Sequence, residues 1–289
     1  MNTKITATLV LTMLVISFKA QTKKGEINVL FIGNSLTYYN DMPQILQKIF
    51  ETQNLNYKIS QSTYPGISLT QHLSRKAVMT SKGAELTPLE QGDTSSTVKL
   101  LQLKKWDFVV LQDGTVRLLI PEVKSLLVIP AIKTFQSYLK DSKAEIVLYR
   151  TWPTLDTFPK KHCYPKEIVD KSITKDMCCS SIMNNRNEEA KLINAAYDTV
   201  ALATNLPTLP ITNCFMEITA NYPNINLYQD KSHPSKLGAY LIACICYKYL
   251  TKQKATTIKY NSDIDEKTAK IIKTVVDKCF VIVGVTTTN

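Results

Sequence analysis

Five short apolar runs, alternating with segments of helical periodicity, constrain this chain more than any other feature. The runs are INVLFIG from Ile27, YKISQST from Tyr57, WDFVVLQDG from Trp106, AEIVLYRTWP from Ala144 and LPTLPI from Leu206. β-branched and aromatic residues dominate the clearest of them, and Gly, Asp-Gly or Pro stops most of them. Between and after them lie DMPQILQKIFETQ, TVKLLQLKK, EVKSLLVIPAIKTFQSYLKD, NEEAKLINAAYDTVALATN and HPSKLGAYLIACICYKYL. These read as helices, the fourth with Asn187 as its expected cap. Strands that alternate with helices predict an α/β fold with a parallel sheet covered on both faces.

Three stretches fit no such element. A polar region runs from about Gly66 to Thr97. Residues 153–187, rich in Lys, Cys and Asn, read as one long loop insertion, functional or mobile. The tail past Tyr260, including KCFVIVGV, offers an edge strand.

The N-terminus reads as a signal peptide. Lys4 precedes an apolar run of 14 residues, too short for an ordinary transmembrane helix, and KAQTKKG follows. Cleavage is expected after Ala20, although Phe18 is large for the position two before it. Residues 21–289 are then expected as one domain, secreted or periplasmic, without a membrane anchor. Their net charge is about +9, once Lys4 and Lys19 are taken from the chain's +11. Lysine is spread along the sequence with no arginine-rich block, which argues against a nucleic-acid partner. Seven cysteines leave at least one unpaired. Cys163, Cys178 and Cys179 predict one local disulfide, and Cys244 and Cys246 read as buried thiols. Neither paired Cys-x-x-Cys motifs nor a His-rich cluster suggests a metal, and no cofactor is expected.

Chemistry enters at Gly33-Asn34-Ser35, where the first run stops. Ser and Asn are favoured helix caps, so the motif alone leaves two readings, cap or nucleophile. A serine nucleophile needs a histidine base, and the histidine needs a carboxylate to orient it. Of three histidines, His233 follows Asp230 by three residues in DKSHPS, just before the last strong helix. His72 falls near a candidate pocket rim or in a half-buried position, and His162 carries no specific signal.

FIGNSLT with DKSHPS resembles the SGNH hydrolase superfamily, the GDSL-type esterases and lipases. The resemblance implies a flavodoxin-like three-layer α/β/α sandwich with a parallel five-stranded sheet. It also implies Ser35 as nucleophile, His233 as general base and acid, and Asp230 as orienting carboxylate. Asn34 stands where that family usually has Asp. For the oxyanion hole it implies the Ser35 N–H and Gly66, the latter in YPGISLTQHL. The family's Gly-x-Asn-Asp block is absent; VVLQDGT stands there, with Gln112 as the replacement donor. Aligning on Gly114 instead puts Val116 at that place, which cannot donate.

The activity so implied is ester hydrolysis through an acyl-enzyme, on an O-acetyl or other short acyl group of a glycan or small molecule. The alternatives are an acyltransferase with the same triad and a catalytically weak glycan-binding protein. The Gly-x-Ser-x-Gly elbow and the His-Glu-x-x-His zinc motif are both absent.

Overall fold

The structure, a computed structural model, describes residues 25–81 and 83–280. Along it run β1 (Ile27–Gly33), β2 (Tyr57–Thr63), β3 (Arg75–Thr80), β4 (Gly83–Pro88) and β5 (Phe108–Leu111). β6 (Glu145–Tyr149), β7 (Cys163–Pro165), β8 (Met177–Cys179) and β9 (Thr208–Leu209) follow. Five of these, in the order β2-β1-β5-β6-β9, form one sheet in which every pairing is parallel. They are the five expected runs. In register, Gly33 lies beside Thr63 and Ile32 beside Leu111, so three strands end together under the site.

β1 is followed by α1 (Ser35–Tyr38) and α2 (Met42–Thr52), and β2 by α3 (Leu69–Ser74). α4 (Ser96–Leu103) leads into β5. After β5 come α5 (Thr115–Leu119), α6 (Pro121–Val123), a π-helical turn at Lys124–Val128, and α7 (Ile129–Leu139). α8 (Arg186–Thr204), α9 (Ile211–Asn221), α10 (Lys236–Thr251) and α11 (Glu266–Cys279) follow.

Alternation within β1 decides the two cores. Val29 and Phe31 pack with α2, α9, α10 and α11, while Leu30 and Ile32 face α4, α5, α7 and α8. All four are fully buried. Burying one such side chain contributes roughly 1.5–3 kcal/mol, so the apolar strand is fixed between two helical layers. The result is the three-layer α/β/α sandwich expected from the sequence.

Several expectations need correcting. The polar region before Thr97 contains α3 and an antiparallel hairpin, β3 with β4. Its strands lack a buried face, which removed the apolar alternation that marks a strand. The 153–187 stretch is not one featureless loop. It holds the β7–β8 hairpin, closed by the Cys163–Cys179 disulfide and anchored by Lys160 on the fully buried Glu189 at 2.9 Å. α8 is capped by Asn185, not Asn187: its side-chain oxygen accepts the Glu188 N–H at 2.9 Å.

The tail is a helix rather than an edge strand as far as it is described, because Ala269, Ile272, Val275 and Val276 form one buried stripe. Cys279 in that helix is disulfide-bonded to Cys214 of α9, a pairing the spacing does not suggest. Cys178, Cys244 and Cys246 are buried free thiols. The expected signal peptide at residues 1–20 lies outside the described residues. Among the described residues, no helix is long and apolar enough to cross a membrane.

Candidate active site

Ser35 is placed by a turn that leaves no room for larger residues. A Cβ on Gly33 would meet the Gln112 Oε1 and the Thr37 Oγ1, each at 2.6 Å, so only glycine lets the chain turn here. Asn34 caps α1, its Oδ1 accepting the Leu36 N–H at 3.1 Å. Its Nδ2 donates to the Ile67 carbonyl at 3.0 Å, tying the turn after Gly66 to the turn before Ser35. Behind β1, the buried His72 donates from Nε2 to the Gly33 carbonyl at 3.0 Å, and Thr97 donates to its Nδ1 at 2.7 Å. Burial outweighs the Gly33 bond and lowers the His72 pKa to about 4, so the ring is neutral.

The opposite wall is the loop from Leu227 to Ser235. Ser235 donates its N–H to the Leu227 carbonyl at 2.8 Å, and Gln229 donates to the His233 carbonyl at 2.9 Å. The Gly238 position in α10 approaches the loop so closely that a Cβ would sit 2.3 Å from the Leu227 carbonyl oxygen. Trp152 Nε1 donates to the Ser232 carbonyl at 3.0 Å, and Asn40 Nδ2 to that of Pro234 at 2.7 Å. Asn40 has φ of 50°, in the left-handed region that Asn tolerates.

Between these walls the side chains meet. The His233 Nε2 lies 2.9 Å from the Ser35 Oγ, and its Nδ1 lies 2.7 Å from the Asp230 Oδ2. The second Asp230 oxygen accepts the backbone N–H groups of Ser232 and His233, each at 2.8 Å. Desolvation raises the Asp230 carboxyl, but the two N–H bonds and the imidazole together bring it down to about 2. A carboxylate on Nδ1 fixes the tautomer, leaving the Nε2 lone pair to accept the Ser35 O–H. Tyr39 stacks on the imidazole with ring centroids 4.2 Å apart and planes 16° apart.

The Gly66 and Gln112 expectations fare differently. Gly66 lies in an exposed turn with φ of 62°, a conformation that favours glycine. Among the described residues, neither its N–H nor that of Ser35 donates to a protein acceptor. Gln112 is 1% exposed and does not offer its amide to the site, which corrects the expected donor role. Its Oε1 accepts from the Asn34 N–H at 2.8 Å and the Thr37 hydroxyl at 3.0 Å, while Nε2 donates to the Asp113 carbonyl at 2.7 Å. Gln112 therefore braces the Ser35 turn from behind. Buried Asp113 is held the same way, accepting the Gly114 N–H at 2.8 Å and pairing with Arg117 at 3.1 Å. Desolvation pushes its carboxyl up against the pull of Arg117. Val116, from the alternative alignment, is an α5 residue packed against the second core cluster. His162 lies in the β7–β8 hairpin region, with its backbone N–H on the Ser180 hydroxyl.

Sequence reading missed His72 as a brace and Tyr39 as a platform. Among the described residues, no group of three or more His, Cys, Asp or Glu side chains could hold a metal ion. Two clefts flank the Pro65–Gly66 turn. One is lined by Tyr38, Asp41, Gln44, Gln61 and Thr63, the other by Ile67, Gln71, Arg75 and Leu86.

No protein-family profile matches this chain, and no curated protein matches it in sequence. Solved structures do. A DUF4886 family protein from Bacteroides uniformis superposes with a TM-score of 0.66 at 17% identity, over 88% of this chain and 94% of that one. A candidate SGNH hydrolase from Slackia heliotrinireducens gives 0.52 at 18% identity, over 78% of this chain and 100% of that one. The parallel five-stranded sheet and its two helical layers are thus a fold this chain shares with these two solved structures, one of them a candidate SGNH hydrolase.

Proposed function

We propose that the protein is a serine esterase with Ser35 as nucleophile, His233 as general base and acid, and Asp230 as the orienting carboxylate. The observation that carries this reading is the unbroken hydrogen-bond chain from the Ser35 Oγ through His233 to Asp230. The Ser35–His233 link has the reach a proton transfer requires, and the Asp230 link holds the imidazole in the tautomer that accepts it.

As the Ser35 Oγ attacks the ester carbonyl carbon, its proton passes to the His233 Nε2. The carbonyl oxygen becomes an oxyanion, and the backbone N–H groups of Ser35 and Gly66 receive it. The tetrahedral intermediate then collapses, the C–O bond to the alcohol breaks, and the imidazolium returns the proton to that alcohol. Water attacks the acyl-enzyme with His233 again as base, releasing the carboxylic acid and restoring Ser35. Asp230 stays ionised throughout, stabilising the imidazolium. No cofactor is required.

The substrate class is an O-acetyl or other short acyl ester on a carbohydrate, met outside the cytoplasm after removal of residues 1–20. The hydroxyl- and amide-rich cleft of Tyr38, Gln44, Gln61 and Thr63 suits a polar alcohol moiety. Purified protein incubated with a short acyl ester, with and without an acceptor sugar, tests the reading. Release of free acid at a rate the sugar does not change is the expected result. Transfer to the sugar would make it an acyltransferase, and absence of both would leave a binding protein.

A further inference from the structure

We propose that the cleft beside Gly66 is an anion site, where Arg75 receives a carboxylate borne by the same molecule as the scissile ester. This rests on the esterase reading for its purpose, though the site itself stands on separate observations.

The chain has four arginines. Arg117 pairs with Asp113, Arg150 with Asp198, and Arg186 lies over the Tyr228 ring, 5.8 Å from its centroid. Arg75 alone has neither a carboxylate nor a ring among the described residues. Among the described residues its one side-chain hydrogen bond is a long one, Nη1 to the Leu86 carbonyl at 3.4 Å. Nearby acids do not serve it: Asp93 and Glu90 pair with Lys76 at 2.6 and 3.6 Å, and Glu85 accepts from the Thr80 hydroxyl.

The rest of the cleft points the same way. Gln71 completes a capping box on α3, its Oε1 accepting from the Ser68 N–H at 3.0 Å and the Ser68 hydroxyl at 3.1 Å. The Ser68 N–H requires the oxygen at that end, so the NH₂ end is turned outward, and no acceptor meets it among the described residues. Pro65, Ile67 and Leu86 supply the remaining lining, and no Asp or Glu enters it. A cleft whose polar side chains present only donors and one guanidinium selects an anion, and the planar fork favours an oxyanion taken by two oxygens. Ile67 of this cleft is bonded to Asn34, the residue before Ser35, so the cleft adjoins the Ser35 turn and an ester that also carries a carboxylate is the ligand suited to both. An acylated acidic sugar has that form.

Binding to the Ser35→Ala protein, measured by calorimetry at low salt, tests the site without turnover. The probes are glucuronate, glucose and inorganic sulfate. Glucuronate is expected to bind about 10-fold to 100-fold more tightly than glucose, the range of a charged hydrogen bond. Arg75→Gln should abolish that preference and Arg75→Lys should keep part of it, while Lys76→Gln should leave it intact. Sulfate binding that Arg75→Gln removes, with glucuronate no better than glucose, would overturn the carboxylate assignment. Equal binding of all three probes, or a preference that survives Arg75→Gln, would overturn the anion site altogether. Turnover by the wild type of an O-acetyl glucuronate glycoside and its methyl ester separates the two proposals. Turnover of neither overturns the esterase reading and not the site, and equal kcat/KM for both overturns the site's role and not the esterase.

Discussion

Ser35 and His233 stand 198 positions apart in the chain and 2.9 Å apart in the fold. Ser35 is held by the end of β1, and His233 by a loop that α10, Trp152 and Asn40 clamp from three sides. Each wall has its own supports, and Tyr39 and Asn40 join them, so the function of the pair depends on groups beyond the triad.

His72 makes stability depend on pH. Its folded pKa of about 4 lies below the ordinary 6.5, so the unfolded chain binds one proton more between those values. The contribution is fully present above about pH 6.5 and is lost as pH falls toward 4. The shift corresponds to about 3 kcal/mol at full development. In urea unfolding across pH 4 to 7, the wild type should lose stability on acidification more steeply than His72→Gln. Parallel curves would show that His72 is not buried in the neutral form.

Gln112→Ala should act on folding before it acts on chemistry. The substitution strands the buried Asn34 N–H and Thr37 hydroxyl, at a cost of about 1–3 kcal/mol for each unsatisfied group. A lower melting temperature is expected, with KM of the folded fraction unchanged and kcat reduced less than tenfold. A loss of about 10²–10³ in kcat at unchanged melting temperature would instead restore Gln112 as an oxyanion donor.

Gly238→Ala should damage the site from a distance. The added methyl would meet a backbone carbonyl, which cannot swing aside as a side chain can, and overpacking of this kind costs about 1–3 kcal/mol. The loop carrying Asp230 and His233 must then move off α10. Both melting temperature and kcat should fall, with Ala239→Gly as a comparison that destabilises α10 without pressing on the loop. Unchanged kcat in Gly238→Ala would show that the loop's position is not what orders His233.

Much of this was legible in the sequence because the informative signals are local. β1 announces itself as an apolar run that stops at a glycine, and Asp230 with His233 fits within one turn, where spacing alone brings the groups together. The rest depends on which partners arrive from elsewhere. An amide such as Gln112 donates or accepts according to its neighbours, and the neighbour that decided it, the Asn34 N–H, is 78 positions away. Tyr39 could not be read as a platform before His233 had been placed beside it. α11 is a different case. Its apolar stripe is visible at helical spacing in EKTAKIIKTVVDKC, yet the apolar residues after Cys279 drew the tail toward a strand. The β3–β4 hairpin left no pattern because Met79 is 79% exposed and Val78 40%, so neither face is buried.

The most direct measurement is kcat/KM on a short acyl ester for the wild type and for Ser35→Ala, with circular dichroism and melting temperature confirming that both are folded. A loss of about 10⁴–10⁶-fold is expected, the scale of removing the nucleophile from such a triad, with His233→Ala comparably impaired. Wild-type turnover that Ser35→Ala retains within tenfold would contradict it.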